Sequence, residues 1–104
     1  MDALLMISTA GSAKEARKIA RNLVQDKLAA CVNVIPGVES FFCWKGRLCQ
    51  EKEVLILAKT VNNRVEKIID KIQEMHSYEV PEIIFLRVER GEKNYLKWME
   101  SVIK

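Results

Sequence analysis

The longest β-prone tract of the chain runs from Ala29 to Thr60, and it sets the strongest limit on the fold. Residues 29–44, AACVNVIPGVESFFCW, are rich in β-branched and aromatic types, and residues 48–60 close with the apolar run VLILA. Lys45-Gly46 supplies a turn between them, so the tract reads as one long hairpin. Each arm spans about 45 Å when extended, whereas the short strands predicted at residues 3–8 and 82–88 span only about 20 Å. Half of the hairpin therefore projects past any sheet that the short strands can complete. The projecting half carries Phe41, Phe42 and Trp44, an apolar patch that needs a second chain to cover it. The sequence thus predicts an obligate oligomer with these three aromatics in its interface. Pro36-Gly37 interrupts the first arm and predicts an edge position or a bulge there.

The flanking segments complete the pattern. Ala3 to Ser8 (ALLMIS) reads as a short buried strand, followed by the turn-like TAGS. Ser12 and Glu15 form a capping box, and Ala16, Ile19, Ala20, Leu23 and Val24 make one apolar stripe, which predicts a helix over Ala13 to Lys27. Val61, Val65, Ile68, Ile69 and Ile72 mark a second helix with His76 at its end. Glu82 to Val88 (EIIFLRV) is the last strand, and Tyr95, Leu96, Trp98, Met99 and Val102 pattern a C-terminal helix. The order β-α-β-β-α-β predicts an α+β, ferredoxin-like antiparallel sheet with two helices on one face and an extra C-terminal helix, in a single domain over residues 1–104.

Charge and cysteine usage narrow the function classes. The net charge of +3 is too mild to imply nucleic acid, and the cluster Lys14, Arg17, Lys18 and Arg21 reads as a solvated helix face. Neither ALLMIS nor EVLILAKT carries the stacking rings of an RNA-recognition sheet. The N-terminal apolar stretch is too short for a signal peptide or a membrane span, which leads us to expect a cytoplasmic protein without a membrane partner. Cys31, Cys43 and Cys49 are odd in number and form no C-x-x-C pair, so three free thiols are expected.

The only histidine, His76, lies in MHSYEVPEII. A histidine at a helix C-terminus is electrostatically favoured when protonated, and its spacing from Ile72 continues the apolar stripe. Against that structural role stands a metal-ligand role, with Glu82 as the nearby carboxylate. Pro81 fixes the backbone between Glu79 and Glu82. No nucleophile or oxyanion device accompanies these carboxylates, so an enzyme is not expected.

Four segments carry a family resemblance: KLAACVNVIPGVESFFCWKGRL (27–48), EVLILAKT (53–60), HSYEVPEI (76–83) and YLKWM (95–99). In order and spacing they resemble the CutA-type divalent-cation-tolerance family across nearly the whole chain. The resemblance implies a homotrimer with the long hairpins packed between subunits, and an association with tolerance to copper and other divalent cations. Carried over position by position, the copper ligands proposed for the family fall on Ser8, His76 and Glu82. Ser8 stands where the family has a cysteine and lacks the soft thiolate that favours Cu(I). Ser77 stands where the family motif has proline. Lys59, Tyr78 and Glu79 are candidates for an inter-subunit pocket beside Glu82.

Two functions follow as expectations. One is a trimeric divalent-cation (copper) tolerance or response protein that binds Cu(II) or other divalent ions weakly. The other is a trimeric small-molecule sensor or interaction scaffold with its ligand between subunits.

Overall fold

The computed structural model describes residues 2–104. Its elements are β1 (Ala3–Ala10), α1 (Ala13–Gln25), β2 (Cys31–Trp44), β3 (Arg47–Val61), α2 (Val65–Met75), β4 (Ile83–Arg87) and α3 (Lys93–Ile103). A 3-10 turn, Asn62–Arg64, leads into α2. The sheet has the order β2-β3-β1-β4, with every neighbouring pair antiparallel. This is the ferredoxin-like arrangement expected from the sequence, with α3 as the added element.

The hairpin forms as its residues dictate. Lys45 and Gly46 take φ of 51° and 77°, the paired positive angles of a type I′ turn, and Trp44 pairs with Arg47 on either side. The β2–β3 register slips between Ile35 and Val38, where Pro36-Gly37 opposes Val54 alone. Gly37 sits at φ 83° in this bulge, and β2 is an edge strand, so the missing Pro36 N–H costs no ladder bond.

Strand alternation sorts the sheet into two faces. Met6, Ala10, Ile56, Ala58 and Val54 pack under α1 and α2, against Ala16, Ile19, Leu23, Ile68 and Ile72. The opposite face is covered by a helix only at its Ala3–Val61 end, where α3 packs. The register lines up Leu86, Leu5, Lys59 and Cys31 across it, then Ile84, Ile7, Leu57 and Asn33, then Thr9, Leu55 and Ile35. Ile84 and Leu86 are 50% and 51% exposed there. Beyond Val54 the hairpin leaves β1 behind, because β1 pairs with β3 only as far as the Ala10–Val54 partnership.

Several predicted boundaries shift: β1 runs on through Thr9 to Ala10, β2 starts at Cys31, and Val61 ends β3 rather than opening α2. α1 stops at Gln25 rather than Lys27, because Lys27 turns to φ 56° and the Leu28 N–H donates back to the Leu23 carbonyl at 2.9 Å. In α3 the predicted apolar stripe splits in two. Met99 and Ile103 bury against Ala30 and Val61, with Leu96 packed beside them, while Tyr95, Trp98 and Val102 face outward.

Candidate functional site

The HSYEVPE segment folds back over the end of the sheet and is tied to three separate elements. His76 ends α2, where its N–H donates to the Ile72 carbonyl at 2.8 Å. Its imidazole is buried, and Nε2–H donates to the Thr9 carbonyl at 2.6 Å. The other nitrogen, Nδ1, accepts the Tyr78 N–H at 3.0 Å. One neutral tautomer satisfies both bonds. β4 reaches only as far as Ser8 along β1, so His76 takes up a carbonyl one residue past the end of that ladder. The expected helix-end histidine is therefore also the peg that fastens the following loop.

Glu15 is the second fastening. The capping box forms on one side only, with the Glu15 N–H donating to Ser12 Oγ at 3.1 Å. The carboxylate turns to the loop instead. It accepts the Ser77 N–H at 2.8 Å and the Ser77 hydroxyl at 3.2 Å, with a longer 3.4 Å bond from the Gly11 N–H. Burial works to raise the Glu15 pKa, but the Ser77 bonds first and the Gly11 N–H after them hold it below its ordinary value. Ser77 thus supplies a donor N–H and a hydroxyl to Glu15, neither of which a proline there would have.

Tyr78 makes the third. Its hydroxyl donates to Glu53 Oε2 at 2.6 Å, and Glu53 is buried beneath it. Burial first, then the Glu53 hydrogen bond and charge, push the Tyr78 pKa far above its ordinary value. The ring also lies against Gly11, where an added Cβ would sit 3.4 Å from the hydroxyl.

Beside this clamp lies an open groove of about 830 Å³ between the loop and the projecting hairpin. Phe41, Phe42, Trp44 and Tyr78 line it, together with the carboxylates Glu51, Glu53, Glu79 and Glu82. Phe42 and Trp44 share the helix-free side with Glu51 and Glu53, whereas Phe41 pairs with Gln50 on the other side of the hairpin. Phe41 is 63% exposed and Leu48 is 82% exposed, so the hairpin is apolar on both sides.

The positions that the resemblance marks as ligands are backbone neighbours, since Ser8 pairs with Ile83 beside Glu82 and His76 bonds Thr9, but their side chains are engaged differently. Both His76 nitrogens are already engaged, so coordination there would break one of the two bonds. Ser8 points into the helix-covered side, where its Oγ is buried without a hydrogen-bond partner. Glu82 is exposed at the groove. Among the described residues, no three histidine, cysteine, aspartate or glutamate side chains converge as a metal site would need. Tyr78 and Glu79 do reach the groove with Glu82. Lys59 does not join them within the chain: it lies six residues from Glu53 along β3, about 20 Å away, and its ammonium bonds Asn33 Oδ1.

The cysteines are free. Cys43 pairs with Leu48 and Cys49 with Phe42, which puts the two thiols on opposite sides of the hairpin. What sequence reasoning missed is the long-range use of Glu15 and Glu53. The capping-box spacing flagged Glu15 as a helix-start residue only, and Glu53 reads as the polar flank of VLILA.

Comparison with known proteins fits this architecture. A family model for the CutA1 divalent ion tolerance protein matches residues 4–102. The divalent-cation tolerance protein CutA of Thermus thermophilus is 38% identical over 93% of this chain and 94% of its own length. The Protein CutA homolog of Xenopus laevis is 46% identical over 85% of this chain, which spans only 58% of that longer relative. The crystal structure of CutA from Xylella fastidiosa superposes with a TM-score of 0.96 at 36% identity, covering 100% of both chains. The structure of the periplasmic divalent cation tolerance protein CutA from Archaeoglobus fulgidus gives 0.95 at 36% identity, over 98% of this chain and 99% of that one. With nearly every residue matched in sequence and in fold, the chain belongs to the CutA1 divalent ion tolerance family.

Proposed function

We propose that the protein acts as a homotrimer that takes up divalent cations weakly, as a binding protein and not as a catalyst. The observation that carries this reading is the divalent ion tolerance family match over residues 4–102. The geometry supports a place for the cation. Glu82, Glu79 and Glu51 line the groove at the foot of the hairpin, and the aromatic hairpin beside them calls for a neighbouring subunit. Since one chain assembles no three-donor cluster among the described residues, a second subunit completes the ligand set. Carboxylate oxygens suit Cu(II), Zn(II) and harder divalent ions more than Cu(I), and with few donors the dissociation constants fall in the micromolar range or weaker, near 8 kcal/mol at best. His76 contributes by holding the loop that presents Glu79 and Glu82.

Calorimetry with Cu(II), Zn(II) and Mn(II) tests this. Glu82→Gln should weaken binding about tenfold, as expected for losing one charged donor. Unchanged affinity in that variant would remove the groove from the account. The aromatic walls of the groove favour a second reading, a small organic ligand held between subunits. A thermal-shift screen of divalent ions and organic anions separates the two, because whichever binds the folded assembly raises its melting temperature.

A further inference from the structure

α1 and α2 lie on the side of the sheet away from the open apolar face, so an assembly built on that face leaves α1 on its outer surface. Lys14, Arg17, Lys18 and Arg21 run along the exposed side of α1. None of them forms an ion pair among the described residues. The two carboxylates within and just after the helix are both committed elsewhere. Glu15 is held by Ser77 and Gly11, and Asp26 pairs with Lys71 at 3.2 Å. α2 differs, because its outer side alternates Glu66, Lys67, Asp70, Lys71 and Glu74. The cationic row is therefore confined to one helix and left without its own counter-charges.

The row ends in an apolar residue. Val24 is 44% exposed and follows Arg17 and Arg21 at the i, i+4, i+7 spacing of one helix face. From Lys14 to Val24 the strip is about 15 Å long and one helix wide. That is narrow for a nucleic-acid duplex, and it carries no aromatic ring for stacking on single strands. The mixed charge of α2 alongside it weakens a flat contact with an anionic bilayer. We propose that this strip docks an acidic helical segment of a partner protein, with carboxylates on Arg17 and Arg21 and an apolar side chain on Val24. Arginine favours this partner because its planar fork engages a carboxylate through two parallel bonds.

The probe is a fluorescently labelled helical peptide of alanine and glutamate carrying one leucine in register with the glutamates. Anisotropy should show saturable binding to the intact protein at low salt, lost at about 0.5 M salt. Arg17→Glu with Arg21→Glu should weaken it about tenfold or more, and so should exchanging the peptide leucine for serine. Arg17→Gln with Arg21→Gln gives the same test without charge reversal, and circular dichroism confirms the fold of either variant. Equal affinity in a folded double variant would overturn the proposal. So would tighter binding of duplex DNA, or of phosphatidylserine vesicles, than of the peptide.

Discussion

The two ends of the hairpin obey opposite rules. Where β3 runs beside β1, at Glu53 and Val54, the polar groups have partners within the chain: His76 to Thr9, Glu15 to Ser77, Tyr78 to Glu53. Past that point the strands carry Phe41, Phe42, Trp44 and Leu48 into solvent, each at least 40% exposed. Charged and polar residues close the first region locally, through short and directional bonds. Large apolar residues leave the second open, because their stabilisation comes only from area that another surface removes from water. The contrast separates what the chain closes by its own bonds from what it leaves exposed to solvent.

The largest expected effect breaks the open region. Leu57 lies mid-sheet on the helix-free face, between Ile7 and Asn33. Leu57→Glu should place a charge inside the proposed interface and cost several kcal/mol of assembly energy, seen as dissociation in size-exclusion chromatography with light scattering. An unchanged oligomer would show that this face is not covered.

A smaller loss is expected at the closed region. His76→Ala leaves the Thr9 carbonyl and the Tyr78 N–H without their partners and should cost about 2–3 kcal/mol in chemical denaturation. The imidazole is not a loosely held loop residue, so a shift under about 0.5 kcal/mol would contradict its role as a peg.

Glu15 sharpens the comparison through pH. Its folded-state pKa is depressed below 4.5, so its contribution is complete above that value and is lost as pH falls through the lower folded value. Because the side chain is only partly buried, the contribution is about 1 kcal/mol. Stability of Glu15→Gln should therefore fall less steeply in acid than that of the wild type. Parallel acid-denaturation profiles would show that the clamp carries no charge term.

The smallest effect lies in the core. Ser8 Oγ is buried without a partner, so Ser8→Ala should be neutral or stabilising by about 1 kcal/mol. A loss of more than that would mean that an ordered water satisfies the hydroxyl.

Much of this was legible in the residues. Periodicity placed the strands and helices because each has one buried face, and the unequal strand lengths announced a hairpin that projects past the sheet. Lys45-Gly46 and Pro36-Gly37 announced the turn and the bulge because few residues tolerate those backbone angles. α3 was less legible, since its apolar residues serve two surfaces and read as a single stripe. The clamp was not legible. Glu15 and Ser77 are distant in sequence, and no local pattern reveals that a helix-start carboxylate bonds a loop beyond the second helix. The same limit applies to Ser8, His76 and Glu82. The family resemblance names them together, but strand alternation sends Ser8 to the buried side while the loop before β4 leaves Glu82 at the groove.

Sedimentation equilibrium of the wild-type chain tests the central claim most directly, that the helix-free face and the aromatic hairpin exist to be buried between copies. The account predicts one species of three chain masses at micromolar concentration, with no folded monomer as the sample is diluted. A stable, folded monomer under those conditions would contradict it.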